Sequence, residues 1–195
     1  MLVSGRGSNL QSIIEATASG RLNATIALVI SNRPEAAGLE RARLAGIETL
    51  VVRQHDFSRR EEFDQRLADQ LQAREVGLVC LAGFMRIVGA PLLDRFRHRV
   101  LNIHPSLLPA FPGIDAQRQA LEHGVKVSGA TVHVVTPELD SGPIIVQAAV
   151  PVLGHDTVET LSARILEQEH RIYPEAIELV LAGGWKIVGR RFIRA

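Results

Sequence analysis

The sequence lacks most of the features that would place it outside the ordinary globular domains. It has a single cysteine, Cys80, in 195 residues, and one thiol cannot form an internal disulfide, which argues against a secreted, disulfide-stabilised fold. Its apolar runs are far shorter than the roughly 20 residues that a membrane-spanning helix needs, and no charged-then-apolar leader opens the chain. We therefore expect a cytoplasmic protein without a membrane partner.

An excess of charge of one sign is also absent, because 22 Lys and Arg stand against 21 Asp and Glu, for a net charge of +1. Such a chain has no overall field for gripping a polyanion, so we expect no nucleic-acid partner. The one basic cluster, Arg190–Arg191 with Arg194, is predicted to be a solvated tail. With 46% hydrophobic and 22% charged residues, the composition is typical of one globular domain, which we expect to span residues 1–195.

Strand and helix signals alternate along the first half of the chain. Three apolar runs predict buried strands of a parallel sheet: Ala24–Ile30, Ile47–Val52 and Val76–Ala82. The helix signals between them are a capping box of Ser8 with Gln11, Pro34 in the first turn of a helix through Arg43 that stops at Gly46, and a capping box of Ser58 with Glu61. This order indicates right-handed crossovers and a doubly wound, mostly parallel α/β sheet of Rossmann-like type.

The second half of the chain shows a different pattern. Gly129–Val135 and Ile144–Val152 are predicted strands joined by the turn-rich Thr136–Pro143, which indicates an antiparallel hairpin. A long last helix follows; its predicted features are a cap of Asp156 with Glu159, a kink at Pro174, an extent to about Leu181 and a stop at Gly183–Gly184. The first strand, Met1–Val3, is shorter than the usual five residues or so, and we expect a truncated start whose missing residues are apolar.

A glycine-rich loop, Ser4–Leu10, lies between the first predicted strand and the first helix. Glycines allow backbone N–H groups to approach an anion, and the helix N-terminus adds about half a positive charge. A phosphate monoester would fit this loop; a tight turn that uses glycine for positive φ is the alternative. A dinucleotide loop would need a third glycine where Leu10 stands, and a P-loop would need a Lys-Ser/Thr pair, so we expect neither NAD nor ATP.

The stretch Val100–Pro105 carries polar residues where a buried strand should be apolar. Strand alternation places Asn102 and His104 on one face. Because Pro105 ends the pairing, both side chains are expected at the carboxyl end of the strand, where ligands bind in open α/β sheets. An amide beside an imidazole can stabilise an oxyanion, although either residue could instead be a satisfied structural polar group.

Asp140 lies in the predicted hairpin loop beside Ser141 and Gly142. It could cap the turn, which is a common role for Asp in that setting. It could also be the carboxylate that sets the protonation of His104 or accepts a proton through water. We expect no metal, because the chain has no His-Glu-x-x-His and its His residues are scattered.

Together these stretches resemble the folate-dependent formyltransferases of purine biosynthesis, over nearly the whole chain. The Asn-x-His-Pro-Ser-Leu-Leu-Pro run is shared by the wider group, and the Gly-x-Gly-Ser-Asn-Leu loop points to a phosphorylated substrate. Ala110 and Phe111 depart from the Lys-Tyr pair common in the family. The stretches that carry the resemblance are Ser4–Gln11, Ala82–Ile87, Leu101–Pro109, Gly129–His133 and Leu139–Pro143.

The resemblance implies transfer of a formyl group from 10-formyltetrahydrofolate, as co-substrate, to the amino group of glycinamide ribonucleotide. Amine attack on the formyl carbon would make a tetrahedral oxyanion, which needs preorganised donors and a proton acceptor. Asn102 and His104 would be the donors. Asp140 would hold His104 in its useful protonation state and take the amine proton through a water.

The resemblance also implies where the ribonucleotide binds. Gly7, Ser8 and Asn9 would hold its phosphate, and Glu169 would contact its ribose, although a Glu on a helix is commonly solvated. Residues 1–100 would form the phosphate- and ribonucleotide-binding half of the domain, and residues 101–195 the catalytic and folate-binding half. We expect small-molecule substrates and a monomer or weak homodimer.

Asn102 and a set of residues in the first half would line the formyl-folate: Arg60, Met85, Arg86, Ile87 and Val88. The resemblance puts Arg60 opposite the folate glutamate carboxylates. Its alternative is pairing with Glu61 or Glu62 at the helix start, and Met85 could be a packing residue.

Three other functions remain open. A methionyl-tRNA formyltransferase would be expected to carry a C-terminal RNA-binding domain, and a formyltetrahydrofolate hydrolase an N-terminal regulatory domain; 195 residues leave room for neither. A non-catalytic sensor of phosphorylated nucleotides would need only the glycine loop. It would have no use for Asn102, His104 and Asp140.

Overall fold

In a computed structural model, which describes residues 1–194, the chain forms two compact units, residues 1–101 and the residues from 102 onwards. The first unit has parallel strands in the order β3-β2-β1-β4. Its strands are β1 (Leu2–Val3), β2 (Val29–Ser31), β3 (Thr49–Val51) and β4 (Val79–Leu81). Its helices are α1 (Ser8–Ala18), α2 (Ala37–Leu44), α3 (Arg60–Gln72) and α4 (Ala90–Arg95), with a 3₁₀ turn at Gln54–Asp56.

The short β1 lies between β2 and β4, and both of its residues, Leu2 and Val3, are fully buried. Strands β2, β3 and β4 are each shorter than the apolar runs that predicted them. Apolar residues continue past the last paired residue of each strand. A side chain can be buried beneath a helix although its backbone does not pair with a neighbouring strand. Hydrophobic pattern therefore located these strands but overestimated their length.

Two predicted helix starts in this unit are wrong. At α1 the N-cap is Gly7 in the left-handed region (φ +71°), and no side chain caps the helix, so Ser8 is its first residue and forms no capping box. At α3 the N-cap is Arg59, again without a side-chain cap, and the predicted Ser58–Glu61 box is absent.

The predicted start of α2 is also wrong. Pro34 lies in a turn before the helix, which begins at Ala37. Its predicted stop is confirmed: Gly46 has φ +71° and follows the last turn. The end of α2 was predictable because a single residue in the left-handed conformation, which glycine adopts readily, is enough to stop a helix.

The second unit has strands in the order β5-β6-β7-β9-β8, and β5 begins at the end of the first unit. The strands are β5 (Val100–His104), β6 (Val127–Val134), β7 (Ile144–Pro151), β8 (Trp185–Val188) and β9 (Arg191–Arg194), and the helices are α5 (Ala116–Glu122) and α6 (Val158–Leu181). The predicted hairpin is confirmed as the antiparallel pair β6–β7. The basic cluster is not a tail, because Arg191 and Arg194 are the ends of β9, which pairs with β8.

Helix α6 packs its apolar face on β6 and β7. The predicted Asp156–Glu159 cap is wrong: Thr157 is the N-cap and forms a capping box with Thr160. Asp156 instead accepts hydrogen bonds from the Leu153 N–H and from the guanidinium of Arg164. The helix continues through Pro174 and ends at Leu181, ahead of the predicted glycines.

The elements confirm the predicted α/β class, with a parallel sheet, a C-terminal antiparallel hairpin and a long C-terminal helix. Pattern reasoning did not predict α4, α5 or the β8–β9 hairpin. Within residues 1–194, none of the helices is both long and apolar enough to cross a bilayer.

Candidate active site

Four polar side chains meet in the second unit: Asn102 and His104 on β5, His133 on β6, and Asp140 in the loop between β6 and β7. The Asn102 Nδ2 atom lies 3.3 Å from His133 Nε2. Asp140 lies 3.5 Å from His104 Nδ1 through Oδ2 and 3.7 Å from His133 Nε2 through Oδ1. Asp140, which is distant in the sequence from Asn102 and His104, is thus brought beside the end of β5.

The local sequence explains why β5 presents this pair. β5 spans Val100–His104 as predicted, so Asn102 and His104 share a face and Leu101 and Ile103, both buried, share the other. The strand ends at the residue before Pro105, which cannot donate to a ladder. Both polar side chains therefore lie at the carboxyl end of the strand.

His104 is 5% exposed, and both of its ring nitrogens face oxygen atoms. Nε2 lies 2.8 Å from the Phe111 carbonyl oxygen, which can only accept, so Nε2 carries a proton and donates it. Nδ1 faces Asp140 at 3.5 Å, which is long for a hydrogen bond. Among the described residues, Nδ1 is consequently the ring nitrogen without a short hydrogen bond.

Asp140 does not cap its own turn; it bonds another loop and faces the two histidines. Its Oδ2 atom accepts a hydrogen bond from the Gly113 N–H at 2.8 Å, which ties two loops together. The same carboxylate faces both histidines. Asp140 itself has φ +48°, in the left-handed region that Asp tolerates better than most residues.

His133 is the site residue that sequence reasoning missed. Its Nδ1 lies 3.0 Å from the Val134 carbonyl, so the proton of the neutral ring is on Nδ1 and Nε2 accepts from the Asn102 amide. Burial lowers the pKa of His133, and the His104 charge lowers it further, against the Val134 carbonyl and Asp140, which raise it. The available signal was alternation, because Thr131 and His133 are polar at alternate positions of β6, in which Ser128 is the one other polar residue.

The predicted phosphate loop lies in the first unit, at the start of α1. Gly7 has φ +71°, and a Cβ there would lie 2.6 Å from Gly38 Cα, so only glycine fits. The Gly38 N–H donates to the Gly5 carbonyl, and Arg41 Nε donates to the Arg6 carbonyl, which brace the loop. Ser8 is half-buried and Asn9 is buried in the first turn of α1, where the helix dipole favours an anion.

The predicted folate-side loop, Met85–Val88, is held at both ends within the first unit. The Met85 N–H donates to Ser4 Oγ at 2.9 Å, and the Gly89 N–H donates to Asp64 Oδ2 at 2.8 Å. Met85 and Ile87 are exposed, Arg86 is half-exposed and Val88 is buried. Met85, at 67% exposure, is therefore not a packing residue within the described chain.

Arg60 does not pair with Glu61 or Glu62. Its Nε atom lies 3.6 Å from Asp64 one turn further along α3, whereas Glu62 pairs with Arg59 at 3.0 Å. Burial raises the pKa of Asp64, against the Gly89 hydrogen bond and the Arg60 charge, which lower it. Sequence reasoning missed Asp64, which joins Arg60 to the end of the Met85–Val88 loop.

Glu169, the predicted ribose contact, is buried on α6 and not solvated. A buried carboxylate on a helix is uncommon and needs polar surroundings. Across residues 1–194 there is no group of three or more His, Cys, Asp or Glu side chains arranged to hold a metal ion.

Comparisons with known proteins show the family and the fold of this chain. Residues 1–177 match the family model described as formyl transferase. A phosphoribosylglycinamide formyltransferase of Escherichia coli (strain K12) is 46% identical over 187 residues, which cover 96% of this chain and 88% of that protein. The crystal structure of glycinamide ribonucleotide transformylase 1 from Symbiobacterium toebii is 58% identical, with a TM-score of 0.98 over 100% of this chain and 92% of that chain.

A longer relative is the trifunctional purine biosynthetic protein adenosine-3 of Drosophila melanogaster, which is 49% identical over 185 residues. The match covers 94% of this chain but only 14% of that protein's length. The α/β fold is thus shared with a formyl-transferring class of proteins. The chain belongs to the formyl transferase family.

Proposed function

We propose that this protein transfers the formyl group of 10-formyltetrahydrofolate to the amino group of glycinamide ribonucleotide, a step in the synthesis of purines. The observation that carries the proposal is the convergence of Asn102, His104 and Asp140 at the end of β5 in a chain of this family. The names of the relatives support the ribonucleotide as the acceptor.

The reaction makes a negative charge on the formyl oxygen when the amine attacks the formyl carbon. The second N–H of the Asn102 amide, the one not donated to His133, is a donor for that oxygen. Nδ1–H of protonated His104 is the other. Donors held in place before the reaction stabilise the oxyanion without reorganising, which is the largest part of such catalysis.

Asp140 has two roles in the proposed reaction: it supports the His104 donor, and it accepts the proton of the amine. Its carboxylate faces His104 Nδ1 at 3.5 Å and holds the ring in the orientation that donation requires. The attacking amine must also lose a proton as the C–N bond forms, and Asp140 accepts it through a water. Collapse of the intermediate then breaks the bond from the formyl carbon to N10 of the folate. N10 takes the proton that the amine gave up, returned through the same water, and the folate leaves as tetrahydrofolate.

The substrate contacts follow the family pattern. The ribonucleotide phosphate binds the glycine loop through Gly7, Ser8 and Asn9, and the ribose is contacted by Glu169. We propose that the formyl-folate is bound by Asn102 and five further residues: Arg60, Met85, Arg86, Ile87 and Val88. We further propose that the enzyme is cytoplasmic and is a monomer or weak homodimer. It acts on small molecules and requires no nucleic acid, resident metal, ATP or NAD.

One assay tests the proposal. Purified protein is mixed with 10-formyltetrahydrofolate and glycinamide ribonucleotide, and both folate absorbance and the mass of the ribonucleotide are followed. Gain of one formyl group by the ribonucleotide is the expected result. Loss of formyl from folate without the ribonucleotide would indicate a hydrolase, and ribonucleotide binding without turnover would indicate a sensor; either result would overturn the proposal.

A further inference from the structure

We propose that Gln147 is a positioning residue for the transfer, because it holds the β5–α5 segment (residues 105–115) in the place where the Phe111 carbonyl fixes a proton on His104 Nε2. The inference rests on the proposed function, which gives His104 a part in the reaction. Gln147 lies on β7 directly opposite Thr131 in the β6–β7 register. It belongs to none of the motifs that point to the site.

The side-chain amide of Gln147 uses both of its N–H groups. Nε2 lies 2.9 Å from the Leu108 carbonyl oxygen and 2.9 Å from Thr131 Oγ1. Both partners are acceptors at this contact, so both bonds are donated by Gln147. The residue is otherwise exposed on β7, and an exposed Gln needs no such bonds for its own solvation.

The Thr131 hydroxyl accepts the hydrogen bond from Gln147 and is itself bonded to the backbone of the β5–α5 segment. It is fully buried, donates to the Ser106 carbonyl at 2.7 Å and accepts from the Leu108 N–H at 3.1 Å. With the Gln147 bond, its one donor and two acceptor positions are all used. Two side chains of the β6–β7 hairpin thereby hold three backbone groups of the segment: the Ser106 carbonyl, the Leu108 N–H and the Leu108 carbonyl.

The held part of the segment leads directly to the His104 contact. Ser106 Oγ donates to the Ala110 carbonyl at 2.6 Å, and the Ala110 N–H donates to the Leu107 carbonyl at 3.0 Å, which close a tight turn. Phe111 follows with φ +53°, and its carbonyl accepts the His104 Nε2 proton at 2.8 Å. The position of this carbonyl is therefore set by the turn that Gln147 and Thr131 anchor.

The far side of the segment has its own support. Gln119 on α5 donates to the Ile114 carbonyl at 2.8 Å and the Pro112 carbonyl at 3.3 Å, and Asp140 accepts from the Gly113 N–H. Loss of Gln147 would consequently free the turn near Phe111 without releasing the whole segment.

The chemical consequence is a choice of tautomer. While the Phe111 carbonyl is in place, a neutral His104 keeps its proton on Nε2, and Nδ1 faces Asp140 ready to take a proton and donate it to the formyl oxygen. If the carbonyl moves away, the neutral ring can carry its proton on Nδ1 instead and turn Nε2 toward solvent. A shift of about 1 Å in a catalytic group can lower turnover about 100-fold.

The test compares three substitutions at Gln147. Gln147→Leu removes both donors, and Gln147→Glu removes them with a polar side chain should the Leu variant fold poorly. Gln147→Lys retains N–H donors at the end of a side chain of similar length. Gln65→Leu is the matched control, because Gln65 donates only to Asp69 within α3. Steady-state kinetics are measured with each variant, and long-range ¹H–¹⁵N spectra of the histidine rings report the His104 tautomer, with His104→Gln used for assignment.

Gln147→Leu and Gln147→Glu are expected to lower kcat about 10- to 100-fold with the ribonucleotide KM within twofold of the parent value. The ring spectra should then lose the Nε2-protonated form of His104. Gln147→Lys and Gln65→Leu should stay within threefold in kcat and keep that form. An unchanged His104 spectrum in both donor-deleting variants, or an equal loss in Gln147→Lys, would overturn the inference. The ring spectra are recorded without substrate, so they test Gln147 even if the proposed function fails. A parent protein without transferase activity would overturn the proposed function, and the tautomer of His104 in the variants would still test the role of Gln147.

Discussion

The side-chain amide of Asn102 donates to His133 Nε2 across the β5–β6 pair, at 3.3 Å. Because the Nδ1–H of His133 donates a hydrogen bond to the Val134 carbonyl, Nε2 of the neutral ring can only accept. This contact orients the Asn102 amide and leaves the second N–H of its nitrogen for a reacting oxygen. A residue outside the predicted set thus decides which N–H of Asn102 stays available for another acceptor.

Asn102→Ala is expected to lower kcat by roughly 10²–10³-fold, which is the usual effect of losing one oxyanion donor. The ribonucleotide KM should change little, because the contact matters chiefly when the oxygen becomes charged. Steady-state kinetics check this, with the urea unfolding midpoint as control for folding. A loss in kcat smaller than about threefold would remove Asn102 from the mechanism.

Asp140→Asn is expected to suppress turnover and to leave ribonucleotide binding nearly intact. The amide can still accept the Gly113 N–H, so the loop contact is kept, whereas the negative charge beside His104 is lost. Calorimetry gives the ribonucleotide affinity, and single-turnover kinetics give the chemical step. A variant that lost binding and kept its turnover number would show that Asp140 serves the loop and not proton transfer.

The unfolding free energy is expected to fall as the pH drops below about 6.5, in part through His133. Burial lowers the pKa of this ring in the folded chain, so its stabilising contribution is present above the ordinary value of 6.5 and is lost on acidification as the unfolded chain takes up the proton. Urea unfolding between pH 5 and 7.5 measures the slope. His133→Gln should flatten it, and His55→Gln, at an exposed ring, should not; equal slopes in parent and His133→Gln would refute the assignment.

Gly7→Val is expected to raise the ribonucleotide KM by at least tenfold and to spare folate binding. A side chain at this position meets Gly38 Cα at 2.6 Å and must adopt positive φ, which distorts the start of α1. Calorimetry with each ligand separates the two effects. Gly5→Ala is the control, because a Cβ there has no neighbour within 4 Å; similar affinities in both variants would mean that the Gly7 backbone does not form the phosphate site.

Much of the architecture follows from local pattern. The apolar runs located β2, β3, β4, β6 and β7, and Gly46 and Gly183–Gly184 marked helix ends, because a left-handed residue stops a helix whatever surrounds it. The N-caps were less predictable. At Ser8, Ser58 and Asp156 the side chain suits a cap, but the backbone entering each helix selects Gly7, Arg59 or Thr157 instead.

The sequence by itself determined β5, the shared face of Asn102 and His104 and the glycine loop at Gly7, because strand alternation and the freedom of glycine act within a few residues. Only the tertiary structure decided that His133 orients Asn102, and that Asp140 both accepts a hydrogen bond from Gly113 in another loop and faces two histidines. Apart from the contact of His133 with Asp140, these contacts join residues about 30 positions apart. They depend on the pairing of β5 with β6 and on the positive φ of Asp140, which local pattern does not encode.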